Sequence, residues 1–200
     1  ELDYSFYLEC LAQACEKYDV DLHAYVLMTN HIHLLMTPND ETGISLVMQS
    51  IGRRYVQYIN KELSRTGTLF EGRFKASLVD EDAYLLACMR YIELNPVRAN
   101  MVNHPAEYKW SSYHVNTGLR QRKKLVAHPS YIALGENELK VCQKYKALFN
   151  SELAPNVCQE ITNAALFSMP LGDKKFKLAI EKALGRVIGY PQRGRPVSNE

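Results

Sequence analysis

Two small groups of residues in this chain have the types and spacing for chemistry. His31 and His33 stand on either side of Ile32 in the apolar run 25–36, which reads as two strands joined by a tight turn at Thr29-Asn30. Alternate residues of a strand share a face, about 7 Å apart along the chain, so both imidazoles are expected on one side. Such a pair can hold one divalent metal ion. Packing alone seldom places two imidazoles together, because each buried ring nitrogen needs a partner. The second group is Tyr91 and Asn95, four residues apart in a helical stretch and so one above the other on a single face. Tyr84, two turns earlier, falls near that face. A tyrosine at rest is a poor nucleophile, with about 0.1% phenolate at pH 7. It becomes useful where a metal ion neutralises the phosphate under attack. Two histidines with the amide oxygen of Asn95 give three protein ligands with open positions, a mixed set suited to magnesium or manganese and able to take zinc.

Each part also has a plainer reading. A His-x-His on a strand can be structural, a tyrosine on an amphipathic helix is usually core or boundary, and Asn before Pro is a common helix terminus. Together, however, they are the parts that metal-assisted attack on a phosphate requires.

The elements that must position these residues follow from periodicity. Tyr4, Tyr7, Leu8, Leu11, Ala12 and Cys15 have helical spacing over 4–18. The strand pair of 22–37 comes next and ends at Pro38. Residues 43–63 form a long helix with Ile44, Val47, Met48, Ile51, Tyr55, Tyr58 and Ile59 on one stripe, and 75–79 is a short strand candidate. Asp80 or Asp82 can cap a helix from about residue 83, which is expected to end at Asn95 because Pro96 disfavours helical geometry there. After an irregular stretch, short helical pieces fall at 129–134, 137–150, 156–166 and 173–185. Few strands with helices between them point to an α+β sandwich with a mostly antiparallel sheet. Three detectable strands make a thin sheet, and a strand upstream of Glu1 is expected to complete it.

Composition narrows the partners. The 200 residues suit one domain, or one with an appendage, and 46% hydrophobic residues suffice for a core. No run approaches the ~18–20 apolar residues of a membrane span, and no secretory signal opens the chain. Five cysteines without a Cys-x-x-Cys pair argue against a disulfide scaffold or thiolate zinc site and favour a reducing, cytoplasmic setting. Net charge is only +2, but residues 1–45 carry eight acids against Lys17, and residues 171–200 carry seven bases against three acids. The basic end suggests an anionic partner.

Four ordered blocks make the sequence familiar: Tyr25-Val26-Leu27-Met28-Thr29-Asn30-His31-Ile32-His33-Leu34-Leu35; Gly67-Thr68-Leu69-Phe70-Glu71-Gly72-Arg73-Phe74-Lys75; Tyr91-Ile92-Glu93-Leu94-Asn95-Pro96-Val97-Arg98-Ala99; and Tyr108-Lys109-Trp110-Ser111-Ser112-Tyr113. Over roughly residues 20–115 the chain resembles the REP-associated tyrosine transposases, which belong to the single-tyrosine HUH nucleases (U being a hydrophobic residue). The resemblance implies a ferredoxin-like antiparallel sheet with helices packed on it, in a catalytic domain over 1–115. A helical C-terminal region over 116–189 and a basic flexible tail over 190–200 follow. It implies a transposase acting on single-stranded or hairpin DNA with a divalent metal, magnesium or manganese. Tyr91 would be the nucleophile, giving a 5′-phosphotyrosine, and His31, His33 and Asn95 the metal ligands. The expected setting is cytoplasmic and nucleoid-associated, without a membrane, and a homodimer is left open. A related HUH nuclease of replication or conjugation, or a DNA-binding relative without catalysis, would share many of these features. Family members usually carry a first strand ahead of the opening helix, which is not found here.

The same reading gives candidate DNA contacts. Arg73 and Lys75 flank a glycine-containing turn and could hold phosphates, or simply form an exposed charged strand edge. Arg53 and Arg54 lie off the apolar stripe of their helix, as a solvated face or an extension of that track. Arg193-Gly194-Arg195-Pro196 resembles an AT-hook core, in which arginines enter the narrow minor groove of A·T-rich DNA; a solvated basic tail is the alternative. His23, His104, His114 and His128 are left as structural or surface residues, and Tyr108, Trp110 and Tyr113 as an aromatic cluster closing the core.

Overall fold

The computed structural model describes residues 1–185 together with 187 and 188, so the Arg193 and Arg195 stretch lies outside the described residues. The chain opens with helix α1 (Leu2–Lys17), followed by strands β1 (Val20–Leu27) and β2 (Ile32–Pro38) and helix α2 (Gly43–Glu62). Helix α3 spans Glu81–Arg98. Shorter helices follow: α4 (Tyr113–Asn116), α5 (Pro129–Ile132), α6 (Glu138–Ala147), α7 (Pro155–Phe167) and α8 (Lys174–Leu184).

These elements gather into two compact units that do not follow chain order. The first comprises Glu1–Phe74 with Leu86–Leu153; the second comprises Lys75–Leu85 with the described residues from Ala154 onward.

In the first unit β1 and β2 pair antiparallel, Tyr25 opposite Leu34 and Val26 opposite His33, with a register shift between Leu22 and Ala24. The core is made by Tyr7, Leu11, Ala14 and Cys15 of α1, Val20, Leu22 and Leu27 of β1, Val47 and Ile51 of α2, and Leu125. The start of α2 comes so close to β1 that a Cβ on Gly43 would lie 2.9 Å from Val20 Cγ2. No further strand joins this sheet among the described residues. The other edge of β1 is satisfied by irregular chain: Leu27 N donates to Trp110 O at 2.9 Å, Ser112 N to Tyr25 O at 2.9 Å, and Val126 N to Leu22 O at 2.8 Å. Buried backbone groups must find partners, and here loops supply them.

The expected ferredoxin-like antiparallel sheet is therefore corrected. The described residues are 55% helix and 10% strand, with one small, open, two-stranded sheet among them. The strand expected over 75–79 is absent from it. That segment instead makes a single parallel bridge, Val79 to Leu171, inside the second unit. Leu171 N donates to Leu78 O and Asp80 N to Leu171 O, both at 2.8 Å. Tyr84 OH donates to Glu160 Oε2 at 2.6 Å in the same unit.

A second correction concerns α3, which runs through Pro96 to Arg98 rather than stopping at Asn95. Proline cannot donate to the Ile92 carbonyl and its ring crowds that turn. The helix persists because Pro96 is fully buried and because Ala99 N still donates to Asn95 O and Met101 N to Pro96 O, both at 2.9 Å. Asn95 Nδ2 adds a side-chain bond to Tyr91 O at 2.8 Å.

Candidate active site

The β1–β2 turn is closed by Met28 N donating to His31 O at 2.9 Å. This leaves His31 exposed just ahead of β2, with His33 half-buried two residues on. Their rings lie 5.1 Å apart, centroid to centroid, and nearly perpendicular. His31 Nδ1 sits 2.7 Å from Asn30 Oδ1. An amide oxygen only accepts, so in the neutral ring Nδ1 holds the proton and Nε2 keeps its lone pair. Burial is the main reason that the His33 imidazole titrates down at about 4, helped by the neighbouring His31 and Arg98 charges. His33 is thus neutral at pH 7, the form that binds a metal.

Helix α3 brings Tyr91 to this pair. Its ring lies 5.9 Å from that of His33 in an edge-to-face arrangement and is 7% exposed. Asn95, one turn on, is tied to the Tyr91 carbonyl through Nδ2, so the other end of its amide, Oδ1, is the end left for a further contact. The guanidinium of Arg98 lies over the Tyr91 ring, 4.5 Å from its centroid. The rings of His31, His33 and Tyr91 therefore form one cluster, with Asn95 one helical turn from Tyr91. Arg73 and Lys75 are exposed in the segment after α2, and on α2 itself Arg53 is exposed and Arg54 half-buried. Among the described residues, no three or more His, Cys, Asp or Glu side chains gather where they could hold a metal; the donors that do meet are two imidazoles.

Other sequence candidates serve the fold. His23 is bonded to Val126 O and Thr37 Oγ1, while the side chains of His104 and His128 cap short helical turns. Tyr108 donates to Leu27 O at 2.6 Å, and Trp110 stacks on Tyr4 with centroids 4.8 Å apart.

Sequence reasoning missed Arg98 and Glu93. Glu93 lies between Tyr91 and Asn95 in sequence but is fully buried. Its Oε1 accepts from Ser112 Oγ at 2.5 Å and Asn116 Nδ2 at 2.8 Å, and its Oε2 accepts from Tyr145 OH at 2.9 Å. Ser112 Oγ also accepts from Tyr25 N, and Asn116 Nδ2 also donates to His23 O, so the network ties α3 to the backbone of β1. Burial pushes the Glu93 carboxyl up to about 7 against the pull of its three donors. The signal was available: Leu85, Met89 and Glu93 are spaced by four, which puts an acid on a stripe whose apolar members are buried.

Comparison with known proteins fits this geometry. The family described as "Transposase IS200 like" matches residues 3–95, a span that contains His31, His33, Tyr91 and Asn95. A Haemophilus influenzae protein assigned to the REP-associated tyrosine transposases is 26% identical over 112 residues, covering 51% of this chain and 64% of that protein. The chain thus spans less than two thirds of that relative. No solved structure matches. No helix among the described residues is long and apolar enough to cross a membrane. Through residues 3–95, a little under half of its length, the chain is similar to the IS200-like transposase family, and a REP-associated tyrosine transposase is among its relatives.

Proposed function

We propose that this chain cleaves and rejoins single-stranded or hairpin DNA through a covalent bond to Tyr91, as a metal-dependent strand transferase of DNA transposition. One observation carries the reading: the Tyr91 ring lies 5.9 Å from His33, which itself lies 5.1 Å from His31. A candidate nucleophile and a pair of candidate metal ligands, 58 or more residues apart in sequence, meet in one place.

The donor set fits a divalent ion such as magnesium or manganese. His33 is neutral, the neutral tautomer of His31 that donates from Nδ1 to Asn30 presents Nε2 as a ligand, and Asn95 Oδ1 would add a hard oxygen. When bound, the ion supplies charge neutralisation on the phosphate. Tyr91 Oη attacks phosphorus in line, forming the Oη–P bond as the P–O3′ bond breaks. The phenolic proton is lost to solvent, and the departing oxygen takes up a proton to become a 3′-hydroxyl. Rejoining reverses the step with another 3′ end. The adduct retains the phosphodiester bond energy, so no nucleotide cofactor is required. Residues 1–115 carry the chemistry on this reading.

The test is incubation with single-stranded hairpin oligonucleotides drawn from the flanking genome. A tyrosine-linked product is expected with magnesium or manganese, lost with chelator and lost in Tyr91→Phe. An undiminished yield in Tyr91→Phe removes Tyr91 from the role. The second reading, a DNA-binding relative without catalysis, is favoured by the low exposure of Tyr91; it predicts hairpin binding with no adduct under any metal.

A further inference from the structure

We infer that Arg98 is a catalytic residue of the strand-transfer site, gripping the scissile phosphate with the guanidinium that covers Tyr91 in the free protein. The inference rests on the function proposed above and assigns it a residue. Tyr91, Asn95 and Arg98 are spaced i, i+4 and i+7 on α3 and so share one helical face. The Arg98 guanidinium lies 4.5 Å from the centroid of the Tyr91 ring. Arg98 is exposed. Among the described residues it pairs with no carboxylate: the ion pair formed there is Lys109 with Glu1. A cation beside the proposed nucleophile, without a counter-ion among the described residues, is a seat for an anion.

Guanidinium chemistry decides what happens when a phosphate arrives. Its fork matches phosphate oxygens in a bidentate, charge-assisted contact, and this outweighs stacking on an aromatic face. The guanidinium leaves the ring for the phosphate, and the ring that it covered becomes accessible to the substrate. During attack, charge grows on the non-bridging oxygens, where fixed donors lower the barrier. Arg98 contributes two N–H donors and takes no part in proton transfer; the bonds made and broken are those already described. The plainer role, a basic residue in the last turn of α3 complementing the helix dipole, alters stability without selectively slowing the chemistry.

The test uses the full chain with a single-stranded hairpin oligonucleotide and manganese. Arg98→Ala is expected to slow adduct formation about 100-fold, and Arg98→Lys to recover part of the loss, because it keeps the charge but not the fork. In a Tyr91→Phe background, where no turnover occurs, adding Arg98→Ala is expected to lower the slope of log affinity against log salt by about 0.7, the loss of one phosphate contact on a single strand. Should Arg98→Ala lose its helical circular dichroism, Arg98→Gln carries both measurements. A wild-type adduct rate without the guanidinium, or an unchanged salt slope, overturns the inference. If the wild-type chain forms no adduct with any oligonucleotide, the strand-transfer reading falls, and the salt slope alone decides whether Arg98 holds phosphate.

Discussion

Helix α3 carries two polar groupings that are built in opposite ways. Around Glu93 both carboxylate oxygens are engaged by Ser112, Asn116 and Tyr145, and all four residues are buried. Around Tyr91 the groups are less enclosed: His31 is exposed, His33 half-buried, and among the described residues the exposed Arg98 lies over an aromatic face and pairs with no carboxylate. The first grouping fixes the rotation of the helix against β1, whereas the second leaves donors and acceptors ready for something that arrives. A site needs both, since a loosely bonded cluster keeps its geometry only when a well-satisfied one behind it holds the backbone still.

Mutations can break this contrast. The largest effect is expected from Tyr91→Phe, which removes the covalent adduct, by 1,000-fold or more in rate ~ as for loss of any nucleophile, while shifting unfolding free energy by less than about 1 kcal/mol. The opposite pattern is expected from Glu93→Ala. It leaves three buried donors without their acceptor and costs about 3–5 kcal/mol in denaturant unfolding. A Glu93→Ala protein of wild-type stability would remove the network from its positioning role.

Acidity sharpens the comparison further. The folded Glu93 carboxyl is raised to about 7, so the folded state keeps a proton that the unfolded chain releases near its ordinary value of 4.5. Its contribution to stability is therefore full below pH 4.5, declines as pH rises, and is gone above about pH 7, with a total on the order of 3 kcal/mol. Chemical unfolding at a series of pH values checks this, and Glu93→Gln is expected to flatten that part of the profile. The smallest effects are expected at the surface. Arg53→Ala, Arg73→Ala and Lys75→Ala should each change stability by less than about 0.5 kcal/mol. Each that touches DNA should also take about 0.7 from the salt slope, and a slope that none of them alters would dismiss the proposed track.

Local periodicity made much of the site readable. The two-residue repeat of a strand put His31 and His33 together, and the helical repeat put Asn95 beneath Tyr91. Long-range pairings were hidden. Residues 75–79 have strand composition, but their partner is Leu171, and nothing in the local pattern says which distant backbone will accept the bond. The same limit applies to Glu93, whose donors lie 19, 23 and 52 residues downstream. The sheet was over-read for a related reason. The second edge of β1 looks as though it needs a strand, yet loop residues Trp110, Ser112 and Val126 satisfy it. Pro96 was over-weighted as a stop, because burial and the Asn95 side chain compensate for the amide that it lacks.

That proline divides the proposed catalytic face unevenly. Tyr91 precedes it on a fully bonded length of α3, while Arg98 follows it on a closing turn with one rung fewer. Amide exchange should accordingly be faster at Val97 and Arg98 than at Tyr91. On the proposed function, the guanidinium lies beyond the missing rung and the phenol before it, so the group that would grip can move without disturbing the aim of the one that would attack.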